Sequence, residues 1–566
     1  MIIIASCGSC YGHSRTRAGT AGGAYGRRAG PVKLRAVTDS WLPAEHGTDN
    51  QNLQRRVTRG VGWTIADNWG RQLLNLLVFI IIARLLLPEE FGLVALAMVF
   101  VVLAQLFVDQ GLGDAIVQRR QVAREHIDTA FAAAMLLGSV LTVTGFLVAG
   151  PIGGLLGEPR LGPLLSVLSL TFVMTAAGAI PMALLQRELR FRSLALRTLF
   201  SISVGGMVGI AMAYMGYGAW ALVGQQLTAA AVSVVALWLA SPWRPGLQFS
   251  RTAFRELFGF GVNVVGSDLM HYLTRYTDNF LIGVFRSTQE LGIYAVGYRI
   301  LDSTNSLLIG IARKIAFPGL SRLQGDPERT KRAYFRLTRL SAAIILPAYT
   351  GLALIAPELI RLVFGAQWVD SGPVAAVLFL VGPTFAVQGF AGALLMAAGR
   401  PDIVLRFRFI NMLLTVIGFT IAVPFGILAM AASFVIRGYL MLPVQLYYQR
   451  VYAGIPIGEY LARLRNPLAA TGLMVAVALG ARLLLGPDAE RVALLVSQVV
   501  AGALAYVAAT FVLDRSLILE ALSVAGQVLP GGERVRRRLG RRASNRPPDP
   551  TPSEPESTHR DRMDDD

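Results

Sequence analysis

Four ionisable residues, Asp268, His271, Arg275 and Asp278, stand inside Phe254–Phe285, a stretch apolar enough to cross a bilayer. At about 100° per residue their spacing puts all four within roughly 80° of arc, on one helix face. A central Asp or Arg costs roughly 2.5 to 3.5 kcal/mol to insert, so that face meets partners, water or cargo rather than lipid. Other apolar runs carry similar groups. Asp67 and Arg71 are i, i+4 neighbours, with Asn75 a turn further on. Tyr298, Asp302 and Asn305 share about 60° of arc, with Arg299 beside them. Arg437 sits in the middle of a further run.

The residue types define the chemistry. Arginine offers a planar fork of donors suited to phosphate oxygens, where lysine offers a point charge, so Arg71, Arg275, Arg437, Arg299 and His271 are candidate anion ligands. A buried carboxylate titrates near neutrality, which makes Asp67, Asp268, Asp278 and Asp302 candidates for H+ or Na+ coupling. A second reading stays open: Asp67 with Arg71, Asp278 with Arg275 and Asp302 with Arg299 as local ion pairs that only let a helix insert. No catalytic residue, metal-ligand set or phosphate-binding glycine loop is read from the sequence, and no cofactor is expected.

The elements that must position these residues follow from composition. Of 566 residues 54% are hydrophobic and 16% charged, mean hydropathy is +0.52, and runs of about 20 apolar residues recur. This is an all-α polytopic membrane protein with no large soluble domain. Fourteen transmembrane helices are expected, among them 61–83, 257–282, 291–311 and 374–398. The net charge of +18 is not a nucleic-acid footprint, because the basic residues lie in short blocks between apolar runs and in the tails. With fourteen spans, 43 Lys and Arg fall in the two tails and the loops after even-numbered spans, against 5 in the loops after odd-numbered ones. Such asymmetry predicts that both termini are cytoplasmic. Cys7 and Cys10 both lie in the leading tail, so no disulfide framework supports the fold.

The chain also repeats itself. Phe91-Gly-Leu-Val-Ala95 returns as Leu291-Gly-Ile-Tyr-Ala295, Leu184-Leu-Gln-Arg187 as Leu395–Arg400, and Gly218-Ala-Trp-Ala as Gly426-Ile-Leu-Ala. Ordered matches at nearly constant offset predict two six-helix lobes, and an even helix number makes the repeat parallel. The expected division is a disordered tail 1–55, an N-lobe 56–250, a C-lobe 251–455, two extra helices 456–515, and a basic then disordered tail 516–566. A midplane substrate site is expected between the lobes.

Gly62-Trp-Thr-Ile-Ala-Asp67 through Ile81-Ile-Ala-Arg84-Leu-Leu-Leu-Pro88-Glu-Glu-Phe-Gly92, followed by Asp109-Gln-Gly-Leu-Gly-Asp114-Ala-Ile-Val-Gln118-Arg, resembles the opening of Wzx-type polysaccharide flippases, closest to the colanic-acid-exporter group. Gln186-Arg-Glu-Leu-Arg-Phe191 and Ala312-Arg-Lys-Ile-Ala-Phe-Pro318 are similar to that family too. The resemblance runs from about Arg56 to Asp514. It implies the multidrug/oligosaccharidyl-lipid/polysaccharide exporter superfamily, with two lobes around a central cavity and two C-terminal helices. The implied cargo is an undecaprenyl-diphosphate-linked oligosaccharide, turned from the inner to the outer leaflet of a bacterial inner membrane for exopolysaccharide, capsule or O-antigen synthesis. Anionic membrane lipids, a polysaccharide polymerase and chain-length machinery are the implied partners. A drug or other lipid exporter of the same superfamily is the rival; several arginines argue against a cavity for cations. A membrane-embedded polymerase or ligase would be an enzyme with a sizeable outer loop, which this chain lacks.

Overall fold

Long apolar runs bounded by glycine, proline and charge become helices here, and the sequence of helices repeats. The computed structural model describes residues 50–517 except 110–111, 120–121, 247–248, 309, 311–315, 317–319, 324–325 and 487–489. Side chains are described from Asn68 onward, except at 109, 112, 114, 257–264 and 267. Cys7, Cys10, most of both expected tails and the Asp67 side chain thus lie outside the described residues.

The first half comprises α1 (Asn50–Leu85), α2 (Pro88–Asp109), a short α3 (Leu112–Gln118), α4 (Arg124–Leu155), α5 (Leu161–Arg187), α6 (Phe191–Tyr214) and α7 (Ala219–Ala240). The second comprises α8 (Arg251–Phe285), α9 (Thr288–Leu308), α10 (Pro327–Phe364), α11 (Ser371–Phe379), α12 (Gly382–Gln388), α13 (Ala391–Ala397), α14 (Pro401–Ala422) and α15 (Ile427–Ala453). Two further helices follow, α16 (Ile457–Leu485) and α17 (Arg491–Leu513). Eleven segments among the described residues are long and apolar enough to span a membrane. α1, α8 and α9 are not among them, so the expected fourteen rests on these three. Each carries charges singled out above, which lower its apolarity.

Packing follows the repeat: α1 lies on α6 as α8 lies on α14, α4 on α5 as α10 on α11, and α6 on α7 as α14 on α15. The halves meet chiefly where α2 crosses α9. There the repeated glycines face each other. A Cβ on Gly92 would stand 1.6 Å from the Thr288 carbonyl oxygen, and one on Gly292 would stand 1.8 Å from that of Pro88. Only glycine allows this approach of backbones. Next to the crossing, Trp368 Nε1 donates to the Ala83 carbonyl at 2.7 Å, and Arg84 Nε donates to that of Val363 at 2.6 Å. α16 and α17 pack on each other and on α10. The cluster that joins them is Asp514 with Arg339 (Nε to Oδ2, 3.1 Å) and Asn466.

Burial alone would raise the pKa of Asp514, but the hydrogen bonds from Arg339, Ser516 and Asn466 and the Arg339 charge together hold the carboxyl below the usual aspartate range. A lowered folded-state pKa stabilises the fold fully above the ordinary value of about 3.9, and that contribution is lost as pH falls through the folded value. Asp514→Asn is therefore expected to lower Tm at neutral pH, with the gap to wild type closing below about pH 4. A gap that does not change on acidification would contradict this assignment.

The expected span 374–398 is broken twice, into α11, α12 and α13. At the first break Leu380 and Val381 bond to Val377 and Leu378, three residues back, just before Pro383. Carbonyls of this segment take side-chain donors instead. Leu380 O accepts from Tyr439 OH at 3.0 Å, and Val387 O accepts from Tyr460 OH at 3.0 Å and Gln445 Nε2 at 3.4 Å. Irregular backbone at membrane depth is tolerated only with such partners.

A second pair of turns repeats atom by atom. After α5, the N–H groups of Glu188, Leu189 and Arg190 donate to the carbonyls of Leu184, Gln186 and Leu185; after α13, those of Ala398, Gly399 and Arg400 donate to Leu394, Met396 and Leu395. The true register thus pairs Leu184 with Leu394, one residue from the match read in the sequence. Both are helix ends with a left-handed residue, at φ 57° for Leu189 and 74° for Gly399. A leucine there is strained by about 1 to 2 kcal/mol. Leu189→Gly is expected to keep or raise Tm in detergent, and Gly399→Leu to lower it; the opposite order would refute the strain.

Candidate functional site

The interior charges are brought together by α8, α9, α14 and α15. Arg275 on α8 lies 3.9 Å over the Tyr298 ring of α9 and 5.2 Å from the centroid of Tyr276. Tyr298 meets Phe434 of α15 edge-on, with ring centroids 5.6 Å apart. Arg437 then stands 4.6 Å over Phe434. The array runs cation, aromatic, aromatic, cation, and each ring face stabilises the charge above it. Arg437 Nη1 donates to Thr415 Oγ1 of α14 at 2.8 Å, while its Nε is buried with no hydrogen-bond partner. Stacking leaves the edge of the Arg275 guanidinium, where its N–H donors lie, open. Among the described residues Arg275 makes no hydrogen bond and no ion pair within 4 Å.

Asp278 is 1% exposed and otherwise engaged. Its Oδ2 accepts from Tyr294 OH at 2.9 Å, and its Oδ1 from the Asn279 N–H at 2.8 Å. Tyr294 and Tyr298 lie 6.1 Å apart on α9. Asp278 therefore anchors the tyrosine pair that carries Arg275, and the spacing of Asp278 and Arg275 does not produce a direct ion pair. Asp302 and Arg299 likewise form no ion pair within 4 Å among the described residues. Arg299 instead reaches toward the first half, 5.9 Å from the Phe79 ring of α1.

The other candidates stand further off. His271 and Asp268 are exposed one and two turns before Arg275, and Arg275, Arg408, Asp268 and Asp302 all lie within electrostatic range of His271. Arg71 is exposed on α1, its Nη2 3.4 Å from Asn68 Oδ1. It does not contact the Arg275–Arg437 array. Asp67 is on α1, with its side chain outside the described residues.

Two basic residues were missed by sequence reasoning. Arg408 on α14 lies near His271, and Arg197 on α6 donates to Thr198 Oγ1 at 3.0 Å beside Met182 Sδ at 3.7 Å. Both counted as loop residues because they fall near helix starts. Their positions in corresponding helices of the two halves were the signal available.

The sequence comparisons agree with this architecture. Residues 81–373, more than half of the chain, match the family described as "Polysaccharide biosynthesis protein". The succinoglycan biosynthesis transport protein ExoT of Rhizobium meliloti (strain 1021) is 28% identical over 326 residues, which are 58% of this chain and 66% of that one. The lipopolysaccharide biosynthesis protein WzxC of Escherichia coli (strain K12) is 27% identical over 359 residues, 63% of this chain and 73% of that one. Among solved structures, the lipid II flippase MurJ in an inward closed conformation superposes with a TM-score of 0.67 at 14% identity, covering 81% of this chain and 100% of that one. The two chains share the fold, a helical bundle of the kind the sequence resemblance implied. With its charged array inside a two-lobed helical membrane bundle, this chain belongs to the polysaccharide biosynthesis protein family.

Proposed function

We propose that this protein turns an undecaprenyl-diphosphate-linked oligosaccharide from the inner to the outer leaflet of a bacterial inner membrane, by alternating access between its two lobes. The observation that carries the reading is the Arg275–Tyr298–Phe434–Arg437 array, two arginines held on ring faces inside the bundle with donors left for an oxygen-rich anion. The similarity to proteins named for succinoglycan transport and lipopolysaccharide biosynthesis supports the same cargo class. Both termini face the cytoplasm in this reading, which the Lys and Arg distribution supports. Released repeat units would pass to a polymerase outside.

Two negative charges carried outward gain about 4.6 kcal/mol per 100 mV of inside-negative potential, so the potential alone can drive the step. Coupling to H+ or Na+ would fall to Asp268 and Asp302, whose carboxylates accept no hydrogen bond among the described residues; Asp278 is held by Tyr294. The experiment is deletion of the gene followed by lipid analysis. Lipid-linked oligosaccharide accumulating on the cytoplasmic leaflet is the expected result. Unchanged glycolipids with raised drug sensitivity would overturn the reading in favour of a drug exporter.

A further inference from the structure

A second site lies away from the array, where α10, α16 and α17 pack together. An apolar groove of about 330 Å³ runs between them, lined by Gly351, Leu352, Met474, Gly502 and Tyr506. Gln498 also lines it, 2% exposed, with neither its amide oxygen nor its amide nitrogen hydrogen-bonded. One turn further along the same three helices, toward the end expected to face outward, the groove gives way to a second cavity of about 520 Å³. Arg361, Arg482, Arg491 and Glu358 line this one. Arg482 Nη2 pairs with Glu358 at 3.1 Å, and the other Glu358 carboxylate oxygen, Oε2, is buried with no partner. Arg361 and Arg491 have no ion pair within 4 Å among the described residues.

Buried polar atoms without partners cost free energy, and each needs an account. Here they are Glu358 Oε2 and the Gln498 amide, and with the exposed Arg361 and Arg491 they form an ordered series: cationic donors and one free carboxylate oxygen at the membrane surface, an unsatisfied amide below them, then an apolar channel. At 1.5 Å per residue Arg491 and Gln498 stand about 10 Å apart along α17. A diacyl phospholipid presents the complementary series, with phosphate at the surface, ester carbonyls a few bonds deeper and acyl chain below. The unpaired Glu358 oxygen adds a further requirement, a donor, and a carboxylate is met most strongly by a cationic one. We infer that this site binds one phosphatidylethanolamine molecule, its phosphate on Arg361 and Arg491, its ammonium on Glu358 Oε2, its ester carbonyl on the Gln498 amide and an acyl chain in the groove.

An isoprenoid phosphate has no ester carbonyl for Gln498 and no ammonium for Glu358. A phosphatidylglycerol headgroup puts the same phosphate on the arginines but offers Glu358 only neutral hydroxyl donors, where an ammonium makes a charge-assisted hydrogen bond. The inference does not depend on the transported cargo.

The test is native mass spectrometry of the full chain, delipidated in mild detergent and titrated with phosphatidylethanolamine, phosphatidylcholine or phosphatidylglycerol of matched acyl chains. Phosphatidylethanolamine is expected to be retained about tenfold better than phosphatidylcholine, whose trimethylated nitrogen cannot donate to Glu358. Glu358→Gln is expected to erase that preference, and Gln498→Leu to weaken retention of all three. Equal retention of the three lipids, a preference for phosphatidylglycerol or cardiolipin, or co-purified isoprenoid phosphate in place of phospholipid would each overturn it. The wild-type comparison alone decides the matter if a variant fails to fold.

Discussion

Arg275→Ala is expected to abolish complementation of a deletion strain at wild-type membrane levels, with export down by about a hundredfold or more. The loss of a bidentate, desolvated contact to a phosphate is worth about 3 kcal/mol, and no other described donor stands on the Tyr298 ring to replace it. Arg275→Lys should fall between, because it keeps the charge but loses the planar fork and the stacking surface. Tyr298→Leu removes the ring that supports the guanidinium and unlinks it from Phe434, so it should reduce transport while leaving the charge count untouched. Export and the accumulated lipid-linked intermediate are the measurements. Full activity of Arg275→Ala at normal abundance would remove Arg275 from the cargo site. Arg71→Ala is expected to have a smaller effect, since Arg71 is exposed on α1 and stands apart from the array.

The second large effect is expected at the helix crossing. A methyl group on Gly92 or Gly292 would sit inside a carbonyl oxygen of the opposing helix. Neither partner is a flexible side chain, so α2 and α9 must separate, at a cost of about 1 to 3 kcal/mol or more. Gly92→Ala and Gly292→Ala are each expected to open that end of the bundle and to lower transport severely. Labelling of a Leu291→Cys reporter, fully buried in the native protein, by a membrane-impermeant maleimide should rise, with Cys7 and Cys10 replaced beforehand. Unchanged labelling and unchanged transport in both variants would show that the crossing yields without consequence.

These two sites differ in how far the sequence exposes them. At the glycine crossing the repeat was legible, as Phe91-Gly and Leu291-Gly, but not that the two glycines meet; the structure supplies the cause, since two backbones can touch only at glycine and the requirement repeats with the fold. The charged face of α8 was legible as a face, because helical spacing alone fixes which residues share it. What stands opposite was not. Tyr298, Thr415 and Phe434 come from other helices, and nothing in the local pattern marks an aromatic residue as the support of a distant arginine. For the same reason proximity in sequence suggested Asp278 as the partner of Arg275, whereas its carboxylate goes to Tyr294. The breaks between α11, α12 and α13 escaped hydropathy, which counts apolar residues and does not sense a change from four-residue to three-residue bonding. Leu189 escaped for the opposite reason: its conformation is one that composition argues against, and only the matching turn at Gly399 reveals it.

The crossing of α2 and α9 has a further consequence when set beside the opposite end of the bundle. There the halves are tied by Glu256 of α8, which pairs with Arg119 and lies 3.7 Å from His126 Nε2. Charges near the surface are screened within a Debye length of about 8 Å at physiological ionic strength. The crossing itself is carbonyl against α-carbon, and beside it Glu158 accepts from the Thr288 hydroxyl and Arg84 donates to the Val363 carbonyl, each a charge that meets a neutral group of the other half. Ionic strength should therefore act more strongly on the Glu256 closure than on this one, so that added salt biases the resting population toward one access state. The energy landscape of the cycle is asymmetric even though the architecture that produces it is a repeat.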